Sequence, residues 1–462
     1  MTGYDVVVIG GGAVGENAAD YAVRAGLSVA LVESELLGGE CSYWACMPSK
    51  ALLRTGHAVA AVRRLPGTSA EFDPAAVLRR RDSFTHDWDD ASQAEWAQGA
   101  GIVLLRGRAR ITGERTVEVE GEEHTARHAV VVCTGSTPVT PPVPGLDTVR
   151  TWTSRDATSA KEVPPRLGVL GGGVVGCELA LAFQRLGSQV VLVQNGPALL
   201  PSMEPFAGER VAASLREEGV DLRLDTHLDS AAADGDAVAL HLGDEVVVVD
   251  ELLVATGRKP NTADVGLETV GLEPGKGLEV DDSGLVLGVD GGWLYAAGDV
   301  TGRAPLTHQG KYAARIVGTV IGARAAGEAA EPLPWSEHGA TADHGAVPQV
   351  VFTDPEVASV GRTAAQAREA GVDVRVVDLP IAVGGSSLQA DGYDGAMRMV
   401  VDESRKVLVG VTFVGQDVAE LLHAATVAVV GEVPMHRLWH AVPAYPTISE
   451  VWLRALEAYR AG

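Results

Sequence analysis

Apolar and polar positions follow a repeating order in the first half of the chain. Residues 4–9 form a continuous apolar run bounded by glycine, as expected for a parallel strand buried on both faces. The glycine-rich residues 10–15 follow, an alanine-rich helical pattern covers residues 16–25, and a second strand is predicted over residues 28–32. The order of strand, glycine-rich loop, helix and strand returns at residues 167–193. We therefore expect two similar α/β units.

The second half of the chain follows a different pattern. Short β-rich segments and two helices are predicted after Pro348, together with a final helix, which indicates a compact α+β unit suited to an interface. The predicted fold class is thus α/β, with two Rossmann-like dinucleotide-binding domains and a C-terminal α+β dimerisation domain. The expected ranges are 1–150 for the first part of one nucleotide domain, 151–257 for the other, 258–335 for the return to the first, and 345–462 for the interface domain.

Composition narrows the kind of protein. The 462 residues carry a formal charge of -24, which argues against nonspecific binding of nucleic acid or anionic lipid, because both are polyanions. The N-terminal residues have neither a basic start nor a long apolar core, and no window reaches the roughly 18 apolar residues of a membrane helix. We expect a soluble cytoplasmic protein.

Both glycine-rich loops match the dinucleotide-binding fingerprint. Glycines at these places let backbone N–H groups approach a pyrophosphate at a helix N-terminus, and the end of the next strand reads a ribose. That position is Glu33 in the first unit and Gln194 in the second. Because Gln194 is not an acid, the sequence does not decide between NADH and NADPH. It leans slightly to NADH because no arginine occurs in residues 194–206. The alternative is a tight turn without a ligand. The fingerprint glycines are Gly10, Gly12, Gly15, Gly171, Gly173 and Gly176.

Two cysteines five residues apart are the main candidates for chemistry. Cys41 and Cys46 follow the first unit closely and precede an apolar helical run. Because the chain has only 4 cysteines, a disulfide framework is excluded and a redox pair is favoured. A helix N-terminus also favours thiolate over thiol. The alternative is a pair of unrelated small core residues.

Further motifs extend this set along the chain, and their order resembles that of the flavoprotein disulfide reductases, the family of lipoamide dehydrogenase, glutathione reductase and mercuric reductase. The resemblance covers essentially the whole chain. Besides the two fingerprints, it is carried by the stretch from Cys41 to Lys50, Thr134-Gly135-Ser136, Glu178, Gly257-Arg258-Lys259-Pro260-Asn261, Ala297-Gly298-Asp299 and residues 351–361.

The resemblance implies cofactors and partners. It places FAD on the first fingerprint and NAD(P)H on the second, in a homodimer whose C-terminal domain completes the other subunit's active site. Glu33 would bind the FAD adenosine ribose and Asp299 the ribityl chain, although Asp299 could instead cap a turn. The other residues expected at the cofactors are Lys50, Thr134, Gly135, Gln194, Gly257, Arg258, Gly298 and His308. No metal site is predicted.

The resemblance also implies catalytic roles. Cys46 would lie nearest the flavin as the charge-transfer thiolate, and Cys41 would be the outer thiol that attacks the substrate. Lys50 would pair with Glu178 beside the flavin, where the alternative is an ordinary buried ion pair. Bulky Tyr43 and the tryptophan after it replace small residues between the cysteines, and they would either shape the substrate mouth or pack against the neighbouring subunit.

The chain departs from the family at the C-terminus. Tyr445 occupies the position of the catalytic histidine, whereas Glu450, which would orient that histidine, remains. A tyrosine with a pKa of about 10 is a poor base at neutral pH, so turnover of ordinary disulfides is put in doubt. His440 could substitute only if its loop turned inward. No C-terminal cysteine pair follows, which argues against a full mercuric reductase.

The sequence therefore predicts an NAD(P)H-dependent FAD disulfide oxidoreductase that passes electrons through Cys41 and Cys46 to a thiol-reactive acceptor. The first alternative is a quinone or dye reductase in which the flavin acts directly on the acceptor. The second is a lipoamide dehydrogenase-like subunit of a larger complex, or a redox-sensing partner.

Overall fold

The computed structural model describes residues 2–462. These residues form two compact units, each built from three chain segments. The first unit holds the described residues up to Pro48 together with residues 82–139 and 257–343, and the second holds residues 49–81, 140–256 and 344–462. The four domain ranges expected from the sequence stay a prediction.

The strands are short, and most lie where apolar runs occur in the sequence. They are β1 (Thr2–Ile9), β2 (Val29–Glu33), β3 (Ile102–Arg106), β4 (Ala109–Gly113), β5 (Thr116–Val119), β6 (Glu122–Val132), β7 (Ser136–Pro138), β8 (Arg166–Leu170), β9 (Gln189–Val193), β10 (Asp221–Arg223), β11 (Ser230–Asp234), β12 (Ala237–Leu242), β13 (Glu245–Val249), β14 (Glu251–Val254), β15 (Arg258–Pro260), β16 (Leu294–Ala296), β17 (Pro348–Val351), β18 (Glu356–Gly361), β19 (Val374–Pro380), β20 (Ala396–Asp402) and β21 (Val407–Gly415).

An α-helix follows each of the strands β1, β2, β8 and β9, and several more helices lie near the C-terminus. The α-helices are α1 (Ala13–Arg24), α2 (Gly39–Tyr43), α3 (Cys46–Arg63), α4 (Pro74–Phe84), α5 (Ala91–Gly99), α6 (Ser154–Ser159), α7 (Val174–Leu186), α8 (Pro205–Glu217), α9 (Thr307–Ala325), α10 (Ala364–Glu369), α11 (Gly384–Gln389), α12 (Leu422–Val430), α13 (Met435–Leu438) and α14 (Glu450–Ala461). Short 3-10 turns lie at residues 86–88, 267–270, 299–301, 341–344 and 418–421.

A seven-stranded sheet forms the centre of the first unit. Its order is β3-β2-β1-β6-β5-β4, and β16 also pairs with β6. The pairs β1–β2, β1–β6, β2–β3 and β16–β6 are parallel. Residues 6–9 of β1 and all of β2 are buried, as their continuous apolar runs predict. Helices α1 and α9 pack against each other beside this sheet.

The second unit contains three sheets. A parallel sheet of order β10-β9-β8-β14 carries the second fingerprint, and the antiparallel strands β11-β12-β13 form a small sheet of their own. The C-terminal segment forms an antiparallel sheet of order β17-β18-β21-β20-β19. The predicted α/β class, with two parallel-sheet nucleotide units and an α+β C-terminal part, is confirmed.

Both fingerprint loops have the same backbone geometry. A Cβ atom added to Gly15 would lie 1.8 Å from the carbonyl oxygen of Gly10, and one added to Gly176 would lie 1.9 Å from that of Gly171. Only glycine permits this close approach between the loop and the first turn of the helix. The internal repeat in the sequence is therefore a repeat in structure.

Candidate functional site

The first glycine-rich loop is held by Glu33 at the end of β2. The Gly11 N–H donates to Glu33 Oε2 at 2.8 Å, and the Glu35 N–H donates to Glu33 Oε1 at 2.6 Å. Burial raises the pKa of Glu33, and these hydrogen bonds oppose that shift. Gly12 is the N-cap of α1, and a Cβ there would meet nothing closer than 3.9 Å. The loop thus leaves open space at a helix N-terminus, which fits a pyrophosphate.

The second loop repeats this arrangement with an amide in place of the carboxylate. The Gly172 N–H donates to Gln194 Oε1 at 2.9 Å. Gly173 is the N-cap of α7, and a Cβ there would meet nothing within 4 Å. Gln194 therefore occupies the position expected for reading a ribose, without a negative charge.

Cys41 and Cys46 lie on two consecutive helices of the predicted redox stretch. Cys41 belongs to α2, and Cys46 is the first residue of α3. Both are thiols, and a hydrogen bond to Cys46, with burial, raises the pKa of Cys41, while Thr307 and Lys311 act in the opposite direction. Cys46 Sγ lies 3.2 Å from Thr307 Oγ1 at the start of α9. The neighbouring thiol and burial thus favour the protonated form of Cys41, whereas Cys46 lies at two helix N-termini, where negative charge is favoured.

Tyr43 corrects one expectation about the residues between the cysteines. Its ring is fully buried within the first unit, and its hydroxyl donates to Gln93 Oε1. The Trp88 indole N–H in turn donates to the Tyr43 carbonyl at 3.2 Å. Tyr43 therefore neither shapes a substrate mouth nor packs against a neighbouring subunit. Its neighbour Trp44 is half-buried, at a centroid distance of 5.7 Å from the Tyr43 ring.

A hydrogen-bonded chain connects the predicted turn residues within the first unit. Ser136 Oγ donates to Asp299 Oδ2 at 2.5 Å and accepts from Arg258 Nε at 2.8 Å. Arg258 also pairs with Glu40, the residue before Cys41. The structure thus links the cysteine stretch to Asp299. The sequence predicts Ser136 only as part of a turn and predicts no role for Glu40, because neither side chain belongs to a motif of its own.

The turns on either side of that chain hold each other through backbone groups. Thr134 Oγ1 donates to the Asn261 carbonyl at 2.5 Å, and Asn261 Nδ2 donates to the Thr134 carbonyl at 3.0 Å. Gly135, Gly257 and Gly298 all have positive φ values, of 72°, 155° and 82°. The predicted cofactor positions Thr134, Gly135, Gly257, Arg258, Gly298 and Asp299 therefore belong to one continuous group of loops. His308 is the second residue of α9 and follows Thr307.

Lys50 and Glu178 form an ion pair within the second unit. Lys50 Nζ lies 2.7 Å from Glu178 Oε2, and Glu178 Oε1 accepts from the Phe352 N–H at 2.9 Å. Lys50 Nζ also lies 4.9 Å from the centroid of the Phe352 ring. The expected pairing is present. Lys50 follows Cys46 by four residues in α3, about one helical turn.

Tyr445 and Glu450 lie in the C-terminal part of the second unit, with very different exposure. Tyr445 is 79% exposed, whereas Glu450 is 8% exposed and accepts from the Gly385 N–H at 3.3 Å. A Cβ added to Gly384 would lie 3.3 Å from both a Tyr445 ring carbon and Glu450 Oε2. The two side chains therefore border the same space. His440 is exposed.

Sequence reasoning missed Thr307 and Lys311 of α9. Thr307 contacts Cys46, and the charge of Lys311 lowers the pKa of Cys41. The threonine stands at the start of a predicted helix, where a hydroxyl is expected only as a cap, so the sequence contains no signal of its contact with a cysteine 261 residues away.

Comparison with known proteins gives a consistent result over the whole chain. Residues 4–327 match the family described as pyridine nucleotide-disulphide oxidoreductase, and residues 347–456 match the dimerisation domain of that family. A mercuric reductase from Staphylococcus aureus is 31% identical over 456 residues, which cover 97% of this chain and 81% of that protein. A dihydrolipoyl dehydrogenase from Thermus scotoductus is 33% identical over 478 residues, which cover 99% of this chain and 98% of that protein.

Solved structures agree with these relatives. The Cu(II) complex of the HOCl-induced flavoprotein disulfide reductase RclA from Escherichia coli has a TM-score of 0.85, 26% identity and 99% coverage of both chains. LpdA from Mycobacterium tuberculosis has a TM-score of 0.83 and 26% identity, again with 99% coverage of both chains.

Residues 2–462 contain neither a membrane-spanning helix nor a metal-binding cluster. None of their helices is both long and apolar enough to cross a bilayer. Nor do they contain a group of three or more His, Cys, Asp or Glu side chains arranged to hold a metal ion.

Proposed function

This chain belongs to the pyridine nucleotide-disulphide oxidoreductases, enzymes that use FAD and NAD(P)H, and from that premise we propose that it reduces a thiol-reactive acceptor through Cys41 and Cys46. The observation that carries the proposal is the hydrogen-bonded Cys41–Cys46 thiol pair, with Cys46 3.2 Å from Thr307 at the start of α9. As a disulfide such a pair accepts two electrons and becomes two thiols, and it gives the two electrons to an acceptor when the disulfide forms again.

The residues of the first loop fit FAD. Its open helix N-terminus suits a pyrophosphate, and the carboxylates of Glu33 and Asp299 retain lone pairs for cofactor hydroxyls. When bound, FAD supplies the two-electron relay between nicotinamide and the cysteine pair. Lys50 contributes a positive charge, oriented by Glu178, that favours nearby anions.

The thiol chemistry balances in two steps. Two electrons break the Cys41–Cys46 bond of the oxidised enzyme, and one proton then resides on Cys41. After that proton passes to solvent water, the Cys41 thiolate attacks the acceptor. For a disulfide acceptor, one acceptor thiolate departs as the mixed disulfide forms, and attack by Cys46 on Cys41 releases the second and restores the enzyme disulfide.

The side chain of Tyr445 limits which acceptors this site can reduce efficiently. A departing alkyl thiolate needs a proton, and a phenol supplies and recovers it less readily at neutral pH than an imidazole. An acceptor that releases no basic thiolate, such as a thiophilic metal ion or a strongly activated disulfide, avoids that demand. The name of the mercuric reductase relative and the Cu(II) in the RclA complex support this class.

We place the acceptor site in a homodimer. Residues 347–456 match the family's dimerisation domain, and they include the exposed Tyr445 and the buried Glu450. We propose that these two residues of one subunit face the cysteine pair of the other. The exposed Tyr445 ring would then be covered on assembly.

Anaerobic reduction of the purified yellow protein by NADH or NADPH tests the proposal. We expect a long-wavelength thiolate–flavin absorption band and two newly reactive thiols, since Cys133 and Cys177 are buried. The Cys41→Ser variant should lose acceptor turnover, and the matched Ser42→Ala variant should keep it. Flavin bleaching without new thiols, or full turnover by the Cys41→Ser variant, would instead favour direct reduction of quinones or dyes by the flavin.

A further inference from the structure

Arg223, the last residue of β10, has its guanidinium held by two carboxylates. Nε and Nη2 donate to the two oxygens of Asp221, at 2.6 and 2.9 Å. Nη1 and Nη2 donate to the two oxygens of Glu245, at 2.9 and 3.1 Å. Four of the five N–H donors of the guanidinium are therefore used within the protein.

This arginine stands directly beside the position that reads the ribose. Arg223 pairs with Val193 across β9 and β10, and its carbonyl accepts from the Gln194 N–H at 2.8 Å. The Thr226 N–H donates to the Gln194 carbonyl at 3.1 Å, and the Asp225 N–H donates to the Gly196 carbonyl at 3.0 Å. The segment after β9 is thus fixed against the end of β10.

Gln194 offers a ligand an uncharged amide and no cation. Its Oε1 accepts from the Gly172 N–H, and its Nε2 can donate to a ribose hydroxyl. Residues 194–206 contain no lysine or arginine. The basic residue whose backbone pairs with this segment is Arg223, and four of its five N–H donors are occupied.

NADPH differs from NADH by a 2′-phosphate, an anion that proteins usually bind with an arginine fork. Here the guanidinium of Arg223 is already paired with the carboxylates of Asp221 and Glu245. We propose that the second nucleotide site selects NADH over NADPH because Asp221 and Glu245 withhold Arg223 from a 2′-phosphate. This inference rests on the proposed function, since it assigns the electron donor of that same enzyme.

Calorimetry on the full-length, FAD-loaded protein tests the selectivity without turnover. The probes are ADP-ribose and its 2′-phosphorylated form. We expect the wild-type protein to bind ADP-ribose at least about 10-fold more tightly, and the double variant Asp221→Asn, Glu245→Gln to gain about 10-fold or more in affinity for the phosphorylated probe. Adding Arg223→Gln should remove that gain. Unchanged ADP-ribose binding would show that each variant is folded.

Asp244→Asn is the matched control, because it removes a neighbouring exposed carboxylate that is not a partner of Arg223. It should shift the affinity for the phosphorylated probe by less than about 2-fold. Equal or tighter wild-type binding of the phosphorylated probe would overturn the inference, as would a gain that survives Arg223→Gln. If the wild-type protein bound neither probe, that result would contradict both the proposed nicotinamide site and its selectivity for NADH.

Discussion

Lys50 Nζ lies 2.7 Å from Glu178 Oε2, and the two side chains differ greatly in exposure. The Glu178 side chain is 4% exposed, whereas that of Lys50 is 35% exposed. Glu178 also accepts the Phe352 N–H, so its carboxylate is fully engaged inside the second unit. The positive charge of Lys50 therefore stabilises the buried carboxylate of Glu178.

Removal of Lys50 should destabilise the protein more than removal of both charges. We expect Lys50→Met to lower the free energy of unfolding by about 1–3 kcal/mol, because it leaves Glu178 buried without its partner. The double variant Lys50→Met, Glu178→Gln should regain most of this loss, since glutamine still accepts from Phe352. Urea unfolding of the three proteins measures the difference. Equal midpoints for the single and double variants would contradict the argument.

The third glycine of each fingerprint, Gly15 and Gly176, provides a second prediction. A Cβ at Gly15 or Gly176 would lie within 2 Å of a carbonyl oxygen in its own loop, so alanine must displace that loop. We expect Gly15→Ala to yield protein without bound flavin, and Gly176→Ala to retain flavin that NAD(P)H reduces at least about 100-fold more slowly. Absorbance spectra and stopped-flow reduction measure both effects.

The control for this pair is Gly99→Ala, where an added Cβ meets nothing within 4 Å at the end of α5. Flavin content and reduction rate should be unchanged there. Normal flavin content in Gly15→Ala would remove the reason for assigning FAD to the first loop.

Glu356 on β18 should make stability depend on pH. Burial raises its pKa to about 7, although its carboxylate accepts from the Ala419 N–H at 3.0 Å. Between about pH 4.5 and 7 the unfolded chain is ionised at this group while the folded protein keeps the proton, so the folded state binds more protons and stability falls as pH rises. The loss is complete above about pH 7 and amounts to roughly 3 kcal/mol.

Glu356→Gln removes the ionisable group and keeps an acceptor for Ala419. We expect this variant to be more stable than wild type at pH 8 and equally stable near pH 4.5, as measured by denaturant unfolding at each pH. The exposed Glu369→Gln serves as the control and should follow the wild-type curve. Parallel curves for wild type and Glu356→Gln would show that Glu356 does not titrate in this window.

Much of the fold could be predicted because the information is local. The strand bounded by Val29 and Glu33 and the loop glycines at Gly15 and Gly176 follow from apolar runs and steric limits within a few residues. The strand β6 begins at Glu122, earlier than its apolar core at residues 129–132, because its polar first half pairs with β5. Strand β18 and helix α11 were not predicted, since β18 carries charge and glycine at its ends and α11 is rich in glycine and serine.

The site was less predictable where contacts join distant segments. The cysteines could be found from spacing, but the Thr307 contact with Cys46 and the Ser136 bridge to Asp299 depend on how loops from separate strands meet. Burial of Tyr43 could not be predicted from the sequence either, because its partners Trp88 and Gln93 lie 45 and 50 residues further along the chain. Hydrophobic patterns describe which residues are inside, but not which polar groups accompany them.

We expect Tyr445→His to add proton transfer at the proposed acceptor site. Glu450 is buried beside the same space and can orient an imidazole, whose pKa of about 6.5 suits neutral pH. The wild-type enzyme should reduce an aryl disulfide, whose thiolate leaves without a proton, far faster than an alkyl disulfide. In Tyr445→His, kcat/KM for the alkyl disulfide should rise by about 10²-fold, with little change for the aryl one. Glu450→Gln in the same background should lower that gain, and Tyr445→Phe should not produce it. An equal rise for both substrates would mean that Tyr445 limits access rather than proton transfer.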